Sequence, residues 1–341
     1  MPSASQSARL SGIRPLWAIE GGRLAILGSG FPIDAPALPV VRIGPLEARL
    51  VHASPSELGV IVPSGLDGGR TPVRVDDVPG ETAFVEIGSV VAKGLHQVDS
   101  PVFDRHGILY VTFSGSRGER VPVSLFRVQR DGAREALPAE ILNPTSLAMD
   151  PDGRLYVSSR FEGTVYRLRP NGDAEVFAAD LGVPCGLAFG PDGDLYVGDR
   201  SGSILRVTPD RQTRVVATLP SSVAAYHLTF GPDGHVYVTA PTLSSHDAVY
   251  RIASDGTVST VCSGFGRPQG LAFDREGLLY VVEALAGASG LYRLRVDQPA
   301  PATEHVLAGT GLVGVAFDPA GGLVVASNDA VYRLDVPVRG A

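Results

Sequence analysis

From about residue 88 onward the chain writes one phrase six times, and this repetition limits its fold more than any other feature. The copies read "FDRHGILYV", "MDPDGRLYV", "FGPDGDLYV", "FGPDGHVYV", "FDREGLLYV" and "FDPAGGLVV". Their turn glycines are Gly107, Gly153, Gly193, Gly234, Gly277 and Gly321, so successive copies stand 46, 40, 41, 43 and 44 residues apart. A unit of that length cannot bury its apolar face alone and must stack against its neighbours. Each unit holds a short apolar strand, an Asp/Pro/Gly turn and an alternating strand ending in Tyr-Val or Val-Val. Most add a third strand such as "TVYRLRP" or "AVYRIAS" and a fourth such as "AEVFAADL" or "STVCSGF". Four antiparallel strands repeated six times predict a six-bladed β-propeller over residues 88–337, because closing the ring removes most exposed strand edges.

The last copy tests that closure. No fourth strand follows "AVYRLDVP", yet "GSVVAKGLHQVDSPVF" near residue 90 matches "AEVFAADLGVPCGLAF", the fourth-strand text, just ahead of the first copy. Ser89 to Lys93 is therefore expected to complete the last blade beside Val331 to Leu334.

Residues 10–86 follow a different plan of alternating strands with Gly/Pro turns: "GIRPLWAIEGGRLAILGSGFP", "VVRIGPLEARLVHASPSELGVIVP" and "GGRTPVRVDDVPG". This segment resembles a TIG (IPT) domain in Ile13-Arg14-Pro15, Gly21-Gly22, Ile26, Gly28, Gly30-Phe31, Ile43-Gly44, Val62-Pro63 and Val73 to Val75. The resemblance implies an immunoglobulin-like sandwich, used as a spacer or docking domain. The fold class expected for the whole chain is all-β, an immunoglobulin-like sandwich followed by a six-bladed propeller.

Charge and composition exclude several functions. The formal net charge is −7, and all 29 basic residues except Lys93 are arginine, with no dense basic patch to neutralise phosphates. No nucleic-acid partner is expected. The opening "MPSASQSARLSGIRPLW" has no apolar run of the length an export signal needs, and no later run could span a bilayer, so no membrane partner and a cytoplasmic location are expected. Cys185 and Cys262 are the only cysteines and read as free thiols. Phosphate-loop, Gly-x-Ser-x-Gly and His-Glu-x-x-His patterns do not occur.

In a propeller the residue opening each innermost strand sits near one mouth of the axis. That position reads Asp99, Thr145, Cys185, Tyr226, Gln269 and Val313, and the second strands bring Ser159, Arg160, Asp199, Arg200, Glu283 and Asn328 around it. A mouth with both carboxylates and arginines suits a polar small molecule or a peptide tail. His227 stands out, because the other copies have Gly or Ser there, and a histidine near neutral pH suits ligand binding or proton transfer. The loop 239–250, "TAPTLSSHDAVY", is longer than its counterparts and carries His246, while His106 and His235 fall on the opposite turns.

The repeat "PxGLAFDPDGxLYV", written here as "VPCGLAFGPDGDLYV" and "RPQGLAFDREGLLYV", resembles NHL-repeat proteins and the gluconolactonase/regucalcin family of metal-dependent lactone hydrolases. The resemblance implies a divalent metal (calcium, zinc or manganese) held at the ring by a Glu, two Asn and an Asp, where it polarises a lactone carbonyl or activates water. The corresponding residues here are Asp99, Cys185, Tyr226 and Gln269. Asp99 is a conservative match and Gln269 offers a neutral oxygen, whereas Cys185 and Tyr226 depart from the pattern. Two functions follow. One is a binding propeller whose mouth, with Arg160, Asp199, Arg200, Glu283, Gln269 and Asn328, takes a polar ligand or a protein. The other is a gluconolactonase-like hydrolase in which Asp99 holds the metal and Tyr226 or His227 handles substrate or proton.

Overall fold

The computed structural model describes residues 8–34, 36–78, 82–285, 287 and 289–341, and every regular element in it is a strand. Residues 1–7, part of the stretch read for an export signal, lie outside the described residues. Among the described residues no helix is long and apolar enough to cross a membrane.

The repeated phrase is a hairpin with a side-chain clamp. In the second copy the Asp150 carboxylate accepts the Arg154 amide at 2.8 Å, and the Gly153 amide donates to the Asp150 carbonyl at 2.9 Å. Gly153 adopts φ 82°, a left-handed conformation that costs glycine little. The Asp of the first copy, Asp104, clamps the amides of His106 and Ile108 in the same way, and Asp274 those of Glu276 and Leu278. Alternation then buries the apolar residues of the strand that leaves the turn, as in Leu155–Ser159, which is buried along its whole length.

The Tyr and Phe of the repeat join one unit to the next. Tyr156 meets Phe189, Tyr196 meets Phe230, Tyr237 meets Phe273 and Tyr280 meets Phe317, all edge-on, with ring centroids 4.8, 5.0, 4.9 and 5.2 Å apart. Each pair contributes about 0.5–1.5 kcal/mol beyond its buried area. At the first unit Tyr110 and Met149 instead pack against one apolar cluster and Phe103 against another that includes Val324.

Five four-stranded antiparallel sheets stand alone as propeller blades. Four of them span 102–136, 144–178, 184–218 and 227–265. The fifth combines Leu312–Phe317, Leu323–Ser327 and Val331–Leu334 with Ser89–Ala92. The expected clasp is present, with Val331 opposite Ala92 and Arg333 opposite Ser89. The expected set of six separate blades is not. The four strands of the fifth copy, Pro268–Phe273, Leu278–Glu283, Gly290–Arg295 and Glu304–Ala308, form the end of a twelve-stranded sheet that continues into the N-terminal strands. The physical reason is a two-residue strand, Trp17–Ala18, which pairs in parallel with Glu86 and Ile87 on one side and with Leu307 and Ala308 on the other. Backbone hydrogen bonding thus runs across the border where a free-standing N-terminal sandwich is expected.

The N-terminal strands enclose their own apolar core, centred on Leu24, Ile26, Ile43, Leu58, Val60 and Val73. Ile19 leaves that core and joins the one built by Tyr280, Leu307, Val325 and Leu334. Gly22 lies so close to the repeat region that a Cβ there would stand 2.4 Å from the Ala308 carbonyl oxygen. Beside it the Tyr332 hydroxyl donates to Glu20 at 2.8 Å, and Lys93 reaches the same carboxylate at 3.2 Å.

Candidate ligand site at the mouth of the ring

The innermost strands pack side by side in chain order, from Val102–Phe103 through 144–149, 184–189, 227–230 and 268–273 to 312–317, and the last returns to the first. Their starting ends gather the ring residues. One register position further in, the copies have Ser100, Ser146, Gly186, His227, Gly270 and Gly314. Space there is scarce: a Cβ on Gly314 would lie 2.4 Å from Ser100 Cα, and one on Gly270 would lie 2.6 Å from Gly314 Cα. The imidazole of His227 crosses toward these small residues.

His227 joins two of the expected site residues. Its Nδ1 lies 2.5 Å from Asp99 Oδ1 and its Nε2 lies 3.0 Å from Gln269 Oε1. The carboxylate can only accept, which places a proton on Nδ1. Nε2 then accepts from the amide NH2 of Gln269 as a neutral ring, or donates to Oε1 as a charged one. Asp99 Oδ1 also takes the Ser100 amide at 2.6 Å, and the Gln269 carbonyl accepts Thr239 Oγ1 at 2.6 Å. His227 is 1% exposed and Asp99 8%, so this network is sealed from solvent.

The other ring residues turn away from one another. The Tyr226 hydroxyl donates to the Pro220 carbonyl, and burial raises its pKa. Burial also pushes the Cys185 thiol up to about 12, against the pull of Arg160 and Arg200, which keeps it protonated at neutral pH. Among the described residues no three His, Cys, Asp or Glu side chains converge on a point able to hold a metal ion. The four ring residues do not fit the ligand set that the resemblance implies: two are bonded to His227, one is a buried thiol and one is a hydroxyl aimed elsewhere.

The outer residues divide into two groups. Asp199 takes the Val183 amide at 2.8 Å and the Ser201 hydroxyl; Glu283 takes the amides of Gly266, Arg267 and Leu285 at 2.6, 2.8 and 2.6 Å. Ser159 donates to the Leu142 carbonyl, and Asn328 donates to the Gln97 carbonyl at 2.8 Å. These are corner clamps. Arg160 and Arg200 differ: Arg160 is half-buried with no hydrogen-bond or ion-pair partner among the described residues, and Arg200 reaches only the carbonyls of Ser222 and Val223, at 3.2 and 3.4 Å. His106 and His235 lie on the turns at the opposite end, whereas His246 belongs to the connection that leaves Thr239 at the mouth end, where it is exposed and donates its amide to Ser244 Oγ.

Three residues that the repeat pattern does not point to also stand at this end. Arg117 belongs to the 113–124 connection, and Asn143 holds that loop by accepting the Gly118 amide at 2.7 Å and donating to the carbonyls of Ser114 and Ser116 at 2.6 and 2.8 Å. His96 bridges to Phe113 and stacks edge-on against it. The extra length of the 113–124 connection was a visible signal; the placement of Arg117 was not.

A family model described as "Strictosidine synthase-like, N-terminal" matches residues 183–207, the first three strands of the third repeat. No curated protein matches the chain. Among solved structures, an auxiliary nutrient binding protein from Bacteroides thetaiotaomicron VPI-5482 is 13% identical with a TM-score of 0.57, covering 97% of this chain and 98% of that one. A gluconolactonase from Xanthomonas campestris is 17% identical with a TM-score of 0.60 over 89% of this chain and 99% of its own. Virginiamycin B lyase from Staphylococcus aureus is 15% identical with a TM-score of 0.51, covering 72% of this chain and 97% of its own. This chain shares their fold. It is a β-propeller.

Proposed function

We propose that this chain is a binding propeller that takes a polar ligand, a small molecule or a peptide, at the mouth where the innermost strands begin. The observation that carries the reading is the closed Asp99–His227–Gln269 network, which occupies the residues a lactonase-type site would need free for metal and substrate. Arg160, at a neighbouring strand end, has no hydrogen-bond or ion-pair partner among the described residues. In this reading the four strands at 268–308 count as a sixth blade, since their innermost strand sits between its neighbours in the ring and their Tyr and Phe make the same edge-on contacts as the other units. The propeller spans 88–337, and residues 10–86 form the immunoglobulin-like domain, two runs of strands meeting at Leu46–Ala53 where the register shifts between Leu50 and His52. The nutrient binding protein matches 97% of this chain over 98% of its own length, a likeness that supports a shared architecture, while the ligand class rests on the side chains.

The hydrolase reading has one observation in its favour, a carboxylate-oriented histidine of the kind general bases use. Burial of that ring to 1% exposure weighs against it, because a general base must reach its substrate. The deciding experiment measures metal content by mass spectrometry on the full chain purified without chelator, before and after incubation with calcium, zinc and manganese, and follows glucono-δ-lactone hydrolysis in parallel. Binding alone predicts no stoichiometric metal and only the spontaneous rate. One equivalent of metal with metal-dependent hydrolysis, both lost in Asp99→Asn, overturns the proposal.

A further inference from the structure

We infer that the mouth recognises an oxyanion, a carboxylate or phosphate group, through Arg160 with Arg200 and Arg117; this rests on the binding reading above and names the chemistry of its ligand. The carboxylates nearest the mouth are already used: Asp99 by His227 and the Ser100 amide, Asp199 by the Val183 amide and Ser201, Glu283 by three backbone amides. None of these three carboxylates pairs with Arg160 or Arg200.

Arg160 directly follows the strand Leu155–Ser159, and Arg200 directly follows Leu195–Asp199 in the next blade. Ser159 pairs with Pro144 and Asp199 with Pro184, so both guanidinium-bearing residues sit at the ends where the innermost strands begin. The loop carrying Arg117 reaches the same place, since a Cβ on Gly118 would lie 3.0 Å from the ring of Phe161, the residue after Arg160. Arg200, Arg117 and His96 lie near enough for their charges to act on or feel Arg160, and the Cys185 thiol is its other titratable neighbour. Burial and then the like charges of Arg200 and Arg117 hold the Arg160 guanidinium below its ordinary pKa, and the burial of His96 together with Arg160 lowers the pKa of that histidine too. At the base of the Arg117 loop the hydroxyl of Ser114 is buried without a hydrogen-bond partner.

A half-buried arginine facing two others, with five donors and no acceptor, is an unfavourable arrangement that a bound oxyanion relieves through paired, charge-assisted hydrogen bonds. Half-exposed Phe161 beside it offers an apolar face for the rest of the ligand.

The test is calorimetric titration of the full chain with citrate, inorganic phosphate and uncharged glucose at matched ionic strength, on wild type, Arg160→Gln and Arg160→Lys. Binding of citrate or phosphate to wild type, weakened about tenfold or more in Arg160→Gln, is expected. Citrate without phosphate identifies a carboxylate site and phosphate without citrate a phosphate site. Arg160→Lys keeps the charge but loses the fork, and is expected to fall between the other two. Unchanged or higher melting temperatures in both variants show that the loss is one of recognition and not of folding. Glucose binding that ignores Arg160 overturns the oxyanion inference while leaving the binding reading intact. No binding of either anion, or equal anion binding in wild type and Arg160→Gln, overturns the inference.

Discussion

The axis and the mouth of this propeller hold similar side chains under opposite conditions. At the axis, Asp99, His227 and Gln269 are buried and satisfy one another. A few residues outward, Arg160 is half-buried and has no hydrogen-bond or ion-pair partner among the described residues. The difference teaches that burial of a polar group is by itself no sign of function. A network that closes on itself stabilises the fold, and one that ends in an unmatched charge awaits a partner.

The contrast can be broken most forcefully at His227. Replacing it with Ala strands the Asp99 carboxylate without its ring partner, and a loss of roughly 3–5 kcal/mol is expected, read from chemical unfolding. The double variant Asp99→Asn with His227→Ala is expected to recover part of that loss, because the two residues act as one unit. If His227→Ala melts like wild type, the axis is not the structural element described here.

Glu20 sharpens the comparison from between the two extremes, being paired yet reachable by solvent. Its carboxyl is held below the ordinary value of 4.5 first by the Tyr332 hydroxyl, against the cost of burial, and then by Lys93. The folded state has the lower pKa, so this stabilisation is fully present above pH 4.5 and disappears as pH falls through the folded value. Glu20→Gln is expected to cost less than about 1 kcal/mol at neutral pH. The gap in melting temperature between variant and wild type should close toward pH 3; a gap that widens in acid contradicts the assignment. Smallest of all is the expected stability change in Arg160→Gln, within about 0.5 kcal/mol of wild type by the same unfolding measurement.

Much of this molecule was legible in its sequence because a repeat states its own boundaries. The spacing of Gly107 through Gly321 located the first hairpin of each repeat, and the fourth-strand text near residue 90 located the clasp with Val331–Leu334. The oddity of His227 was visible as a histidine in a column of Gly and Ser. What it does was not, since its partners are 128 and 42 residues away. Asp199 and Glu283 read as pocket carboxylates, yet their oxygens are occupied by backbone amides of the adjoining corners and, at Asp199, by the Ser201 hydroxyl, a role that only the path of the chain reveals. Residues 10–86 read as a separate sandwich because Trp17–Ala18 is too short to announce that it joins two sheets.

An all-β chain of stacked units follows from the sequence alone, because strand alternation and Asp/Gly turns are local patterns that recur with a fixed period. The tertiary structure alone decided which polar groups are paired and which are left open. Hydrogen bonding at the axis depends on where six distant strand ends meet, and no local pattern encodes that distance.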